Sequence, residues 1–218
     1  MNLLILGATG RTGRLVVEQA LAAGHTVTAL VRSPEKLTIR NSNLRVLAGR
    51  ATDAGDVARA LASADAVLST LGGSGSVIAD STHAIVEAAH KTGVSRVIVL
   101  SSFFIERDRL GAVTRVLTGV AMGSVIKDKS AGEQLLRQSD LDWTIIYASV
   151  LKDSPISGSV EVLPEGAKWR ISDRISRSDV AKWMVQAVTS SQLSRRSVGI
   201  TEGKRTKERV ALEAVEHD

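Results

Sequence analysis

The stretch Met1-Asn2-Leu3-Leu4-Ile5-Leu6-Gly7-Ala8-Thr9-Gly10-Arg11-Thr12-Gly13-Arg14 decides the fold. An apolar run, Leu3 to Leu6, leads straight into three glycines at three-residue spacing, Gly7, Gly10 and Gly13. Leu15, Val16, Gln19, Ala20 and Ala23 then recur with a helical period. Strand, glycine turn and helix together are the setting in which a dinucleotide-binding fingerprint has physical meaning. Gly7 would permit the tight turn, Gly10 a close approach of backbone to pyrophosphate, and Gly13 tight packing of helix on strand. The helix start offers unpaired N–H groups and the positive end of its dipole to phosphate oxygens. Thr9, Arg11, Thr12 and Arg14 lie in or beside the turn as further phosphate partners. With 18 glycines in 218 residues the spacing alone says little, and a turn that binds nothing has the same letters. The flanking strand and helix give it weight.

Outward from this unit, strands and helices alternate at intervals of about 20 residues. Strands are expected at 26–31, 44–48, 66–70 and 97–100, the last running on into Ser101-Ser102. A helical turn is expected at 34–37, helices at 56–61 and 77–90, and a glycine-rich loop at 71–76. Residues 106–125 mix charge with Leu, Val and Gly without a clean period, and read as a mobile loop or short helices beside the substrate. A helix at 128–138 and a strand at 143–147 follow. The section 148–176 reads as irregular, with a short strand at 159–163. A helix at 179–189 with Ser178 as N-cap, a strand at 198–201 and a charged tail close the chain. This alternation predicts an α/β fold: one domain over 1–201, a Rossmann-like doubly wound parallel sheet with helices on both faces. Its substrate side is expected in 103–125 and 148–176, with 202–218 as the tail. Ligands of such sheets bind at the carboxyl ends of the strands, where strand order reverses.

Composition narrows the chemistry. Hydrophobic residues make up 44% of the chain but aromatics only 3%, so the core is aliphatic and suits strands buried on both faces. The absence of cysteine excludes disulfides, thiolate zinc sites and cysteine nucleophiles. A net charge of +5 is spread among acids, and base-stacking aromatics are scarce, so nucleic acid is not the expected partner. No secretory signal and no membrane-length apolar run is visible, which makes a cytoplasmic protein the expectation. His83 and His90 share a helical face without a carboxylate pattern to complete a metal site. Neither a Gly-x-Ser-x-Gly elbow nor a Walker A loop occurs.

The end of the second strand, Leu30-Val31-Arg32-Ser33, bears on the cofactor. NAD enzymes often carry an acid there for the ribose 2′-OH. Here Arg32 stands instead, able to grip a 2′-phosphate bidentately, with Ser33 as a hydroxyl donor; NADP(H) is favoured, and a solvated arginine at a strand end is the alternative. Asp53 fits two roles, a partner for the adenine amino group or the N-cap of the next helix. Thr70, Leu71 and Gly72 follow the fourth strand, where the chain would pass beneath the cofactor.

Taken as a set, the Gly7–Gly13 pattern, the Arg32 strand end, the Asp53 turn, Ser101-Ser102, and the run 133–139 followed by Leu141-Asp142-Trp143-Thr144-Ile145-Ile146 resemble the atypical short-chain dehydrogenases. Within them the chain is most similar to the NAD(P)-binding group that contains biliverdin-IXβ reductase, a flavin reductase, and the NmrA-like regulators. The resemblance spans residues 1–201 and implies an NADP(H)-binding Rossmann-like domain. The Tyr-x-x-x-Lys pair of typical short-chain dehydrogenases is missing. Lys129 falls at the lysine position, as a ribose ligand or a surface residue, but Val125 occupies the tyrosine position. The single tyrosine, Tyr147, ends the sixth strand, where it is a proton donor or a half-buried sheet residue. Ser102 matches a serine near the nicotinamide, and Ser101 adjoins it; strand-end capping is the other reading. Ala148-Ser149 and Val150 replace a proline pair and a histidine of the flavin-reducing relative.

The resemblance thus implies an NADPH-dependent oxidoreductase moving hydride to a conjugated acceptor such as a flavin or quinone, with Ser102, Lys129 and Tyr147 as candidate catalytic residues. It also leaves open a non-catalytic NADP(H) sensor of NmrA-like type that binds a protein partner. An isomerase or epimerase ranks last, because little chain remains for a sugar-nucleotide domain. The expected state is a monomer or weak homodimer without metal, membrane or nucleic acid.

Overall fold

The computed structural model describes residues 1–73 and 75–203, so the expected tail lies, from residue 204 on, outside the described residues. In chain order the elements are β1 (Asn2–Leu6), α1 (Arg11–Ala22), β2 (Thr26–Val31), β3 (Leu44–Ala48), α2 (Ala54–Leu61), β4 (Ala66–Ser69), α3 (Val77–Thr92), β5 (Arg96–Ser102), α4 (Ala112–Gln138), β6 (Asp142–Ala148), β7 (Val150–Lys152), β8 (Val160–Leu163), β9 (Arg174–Ser176), α5 (Arg177–Ala187) and β10 (Arg196–Glu202). Eight strands form one sheet in the order β3-β2-β1-β4-β5-β6-β10-β8, while β7 and β9 pair separately. Among the described strands only β8 runs antiparallel, against β10. Strand order reverses between β1 and β4, so a crevice opens at their carboxyl ends, where a doubly wound sheet binds its ligand.

The side-chain alternation of β1 builds the two layers. Leu3 and Ile5 face Val16, Val17 and Ala20 of α1 and Val180, Ala181 and Met184 of α5. Leu4 and Leu6 face Val57 and Leu61 of α2, Ala84, Ile85 and Ala88 of α3, and Leu136 of α4. A strand buried on both faces reads as a continuous apolar run, which is why Leu3 to Leu6 shows no polar alternation.

Three segments differ from the sequence expectation. The first is 106–125: two 3-10 turns, Phe103–Ile105 and Arg107–Arg109, lead into α4, a helix of 27 residues broken only at Met122 (φ −130°, ψ 17°). Gly119 and Gly123 flank the kink, and the β-branched valines nearby have low helix propensity, so the local signal for a helix was weak. The second is 148–176, which contains β7 and β9 besides β8; these three- and four-residue strands are too short to show a period. The third is the start of α5, capped by Ser176, whose Oγ accepts from Ser178 N at 3.1 Å, instead of by Ser178. Among the described residues no helix is long and apolar enough to cross a membrane.

The long α4 is anchored at its middle. Asp128, 5% exposed, accepts from Ile78 N and Ala79 N, both at 2.9 Å. It thereby caps α3, whose own N-cap Ser76 turns its hydroxyl to Asp80 and makes no capping bond to the backbone. Gly132 sits against the same helix, where a Cβ would lie 3.0 Å from Thr82 Oγ1 and 3.1 Å from Ile78. These contacts set the position of Lys129 and Glu133 over the end of β5.

Candidate functional site

The glycine turn forms by close approach. Gly7 adopts φ +83°, a left-handed conformation that a side chain would strain. A Cβ on Gly13 would stand 2.0 Å from the Gly7 carbonyl oxygen and 2.8 Å from Thr70 Oγ1. Only a bare α-carbon allows α1 to start this near β1. Thr70 closes the far side, donating its hydroxyl to Leu6 O at 3.1 Å. Gly10 is the N-cap of α1 and has no side chain to accept from the first-turn amides, so their N–H groups stay available to an anion.

A cavity of about 300 Å³ opens at this point. Gly7, Thr9, Gly10, Arg32, Thr70, Leu71 and Gly72, all expected in the site, line it together with Arg50, Thr52 and Val77. Among the described residues no carboxylate lines it. Thr12 and Gly13 lie just behind, buried in the first turn of α1. Other expected residues have different neighbours. Arg11 forms an ion pair with Asp153, which also holds Arg177 Nη1 at 2.8 Å and so ties the glycine turn to the start of α5. Arg14 donates to Thr9 O and Lys36 O, bracing the turn against the Pro34–Lys36 segment, with Ser33 just before it. Asp53 is the N-cap of α2, accepting from Asp56 N at 2.8 Å, and is absent from the cavity wall.

A second cluster meets at the ends of β5 and β6. Its centre is Glu133, 4% exposed, which sequence reasoning passed over. Ser101 Oγ donates to Glu133 Oε1 at 2.5 Å, and Tyr147 OH donates to Oε2 at 2.5 Å. Arg137 adds a bond to Glu133 at 3.2 Å and another to Tyr147 OH at 2.7 Å. Lys129 points its Nζ at Leu100 O, 3.5 Å away. Lys129, Glu133 and Arg137 are spaced i, i+4, i+8 along α4, and that spacing was the available signal. Burial lowers the pKa of Lys129, against the pull of the Glu133 and Asp128 carboxylates. Burial pushes the Tyr147 phenol well up, reinforced by Glu133 and opposed by Arg137, which makes it a weaker proton donor. Its hydroxyl already gives and accepts a hydrogen bond inside the protein. Ser102, half-buried, follows Ser101 in extended backbone, so strand alternation turns it to the opposite face from Glu133.

The two segments expected on the substrate side are clasped to each other. Glu106 accepts both oxygens' bonds from Arg109 at 2.8 Å and one from Trp169 Nε1 at 2.6 Å. The Arg109 guanidinium also lies 5.1 Å from the centre of the buried Trp169 ring and donates to Ala167 O at 2.6 Å. The clasp pins residues 103–110 beside 164–169 at the carboxyl edge.

Residues 7–191 match the family model described as NAD(P)H-binding. An uncharacterized sugar epimerase of Bacillus subtilis, YhfK, is 29% identical over 214 residues, across 93% of this chain and 95% of that protein. A short-chain dehydrogenase/reductase of Veillonella parvula, solved in complex with NADP, superposes with a TM-score of 0.78 at 22% identity, over 92% of this chain and 94% of that one. ChuY, an anaerobillin reductase of Escherichia coli O157:H7, gives a TM-score of 0.78 at 24% identity, over 94% of this chain and 99% of that one. At these identities the two solved structures attest the fold, and the family model attests the nucleotide-binding half of it. With its glycine turn, its switch-point cavity and a family match over residues 7–191, the chain belongs to the NAD(P)H-binding family.

Proposed function

We propose that this protein is an NADPH-dependent reductase that delivers hydride to a conjugated small-molecule acceptor, such as a flavin or quinone, without a Tyr-x-x-x-Lys dyad. The observation that carries the reading is the switch-point cavity, lined by the glycine turn and by arginine, with no carboxylate among its described lining residues. A ribose 2′-OH calls for an acid at that wall, and a 2′-phosphate calls for a guanidinium. In this reading Gly7, Thr9, Gly10 and the first-turn N–H groups through Gly13 hold the pyrophosphate. Thr12 adds a hydroxyl, and Arg11 contributes on release from Asp153. Arg32 and Ser33 read the 2′-phosphate, while Thr70, Leu71 and Gly72 form the wall leading toward β5. Asp53 serves as a helix cap.

Bound there, NADPH supplies a hydride. Ser102 at the end of β5, or Lys129 of α4 above it, bonds the ribose or the acceptor, and Ser101 fixes the strand end through Glu133. Tyr147 belongs to the Glu133–Arg137 network and donates no proton to substrate. A conjugated acceptor spreads the incoming charge, so holding the reactants in register does much of the work, and water delivers the proton. The acceptor lies between 103–125 and 148–176, segments joined by the Glu106–Arg109–Trp169 clasp. Steady-state NADPH oxidation with FMN, riboflavin and quinones tests the reading; tight NADPH binding with no turnover on any acceptor sinks it. Arg32→Ala is expected to weaken NADPH roughly 10-fold or more while leaving NADH nearly unchanged, and equal loss for both excludes Arg32 as the reader.

A second reading, a non-catalytic NADP(H) sensor, is favoured by one feature. Val113, Val116, Leu117 and Val120 are 62% to 86% exposed and share one face of α4 at i, i+3, i+4, i+7 spacing. Capture of a protein partner in NADP against NADPH separates the two; a partner indifferent to redox state counts against the sensor.

A further inference from the structure

The switch-point cavity carries a second guanidinium that the reading above leaves without a role. Arg50 lines the same wall as Arg32. The two follow the ends of neighbouring parallel strands: Val31 of β2 pairs with Ala48 of β3, and Gly49 N donates to Val31 O at 3.0 Å, so Arg50 lies one position further along than Arg32. One residue after Val31 stands Arg32; one residue after Gly49 stands Arg50. Both side chains are exposed at the mouth of the cavity.

The acids of this corner are turned to other work. Asp56 accepts the backbone N–H of Arg50 at 2.8 Å through Oδ2 and the Arg59 guanidinium at 2.7 Å through Oδ1. Asp53 spends Oδ1 on capping α2. Asp56 therefore grips the main chain at residue 50 and bonds Arg59, while the Arg50 guanidinium forms no ion pair with it and acts on it through charge alone. Asp56 also fills the space behind Gly49, where a Cβ would lie 2.8 Å from Asp56 Oδ2 and from Leu30 Cδ1, so the turn that presents Arg50 is closely packed. Among the described residues neither Arg32 nor Arg50 forms an ion pair with an acid.

Two arginines lining one nucleotide cavity, with no acid among its described lining residues, are a charge arrangement for a dianion. A 2′-phosphate monoester carries nearly two negative charges at neutral pH and three acceptor oxygens, more than one planar fork can satisfy. A neutral ribose offers nothing that repays holding two cations together. We infer that Arg50 is a second specificity-determining residue for the 2′-phosphate of NADP(H), gripping it from the β3 side while Arg32 grips it from the β2 side. The inference rests on the NADP(H) reading above and adds a residue to it.

The test uses binding of the two half-ligands to the full chain by calorimetry, apart from any turnover. The probes are 2′,5′-ADP, which carries the 2′-phosphate, and 5′-AMP, which lacks it. Wild type is expected to bind 2′,5′-ADP the more tightly. Arg50→Ala is expected to weaken 2′,5′-ADP roughly 10-fold while changing 5′-AMP by less than about 2-fold. Arg50→Lys, which keeps the charge and loses the fork, is expected to fall between the two. Equal weakening of both probes by Arg50→Ala overturns the assignment and makes Arg50 an adenine-side or structural residue; no weakening of either overturns it as well. Arg50→Gln, close in size, repeats the measurement should the alanine variant fold poorly, and the same criteria apply. Wild-type protein that binds 2′,5′-ADP no better than 5′-AMP overturns the NADP(H) reading itself, an outcome distinct from a wild-type preference that Arg50→Ala leaves intact.

Discussion

Replacing Tyr147 by Phe separates a catalytic tyrosine from a structural one. The ring stays and fills the same buried space, so no cavity forms; only the hydroxyl goes. That hydroxyl donates to Glu133 at 2.5 Å and accepts from Arg137 at 2.7 Å. A hydrogen bond to an ionised partner contributes about 1.5–3 kcal/mol. Glu133 keeps Ser101 and Arg137 as partners, and Arg137, with its side chain 39% exposed, regains water. The expected loss is therefore at the lower end, about 1.5–2 kcal/mol, or a fall in melting temperature of about 3–8 °C for a chain of this size. Turnover should stay within about 3-fold of wild type, because a proton donor would be expected to contribute about 100-fold or more. The pH profile supplies a second readout. Burial raises the folded phenol above its ordinary pKa of about 10. Its contribution to stability is then whole below that pH and is lost as the pH climbs toward the folded value. Tyr147→Phe should flatten this alkaline slope. A melting temperature unchanged from wild type with turnover down about 100-fold would refute the structural role and return Tyr147 to the chemistry.

Two further substitutions test the frame. Gly13→Ala places a methyl 2.0 Å from the Gly7 carbonyl, and backbone cannot yield as a side-chain tip does. Overpacking of about 1–3 kcal/mol should weaken NADPH roughly 10- to 100-fold, whereas Gly72→Ala, which meets nothing within 4 Å, should leave the fold intact; calorimetric titration of both variants decides. Asp128→Ala strips two bonds from the start of α3 and leaves buried amides unpaired, for an expected loss of about 2–4 kcal/mol. Thermal melting and faster hydrogen exchange at Ile78 and Ala79 should report it, and an unchanged melting temperature would show that the cap contributes nothing.

Local patterns were enough for the nucleotide half of the molecule. The run Leu3 to Leu6, the spaced glycines and the strand at 26–31 announce themselves because each is a short-range rule: an apolar strand, a tight turn, a period of 3.6. The same holds for the place of Arg32, one residue past a strand and in the cavity wall. The second half of α4 was expected as a helix over 128–138; its first half escaped because the valines and glycines of 113–123 argue against one. Glu133 escaped as well, since an acid among charged helix residues looks solvated until the ends of β5 and β6 close over it.

Arg50 is the plainest case. In the chain it lies 18 residues from Arg32, in a polar stretch with no periodic signal. Parallel pairing of β2 with β3 brings both to the same end of the sheet, and the Asp56 carboxylate fixes the backbone at Arg50. Residue spacing along one element dictated the fold class and the glycine turn, because those depend on neighbours in sequence. The composition of the cavity wall, the occupation of Tyr147 and the clasp of Trp169 onto Arg109 arise from pairings across the sheet and between loops, which no one-dimensional pattern encodes.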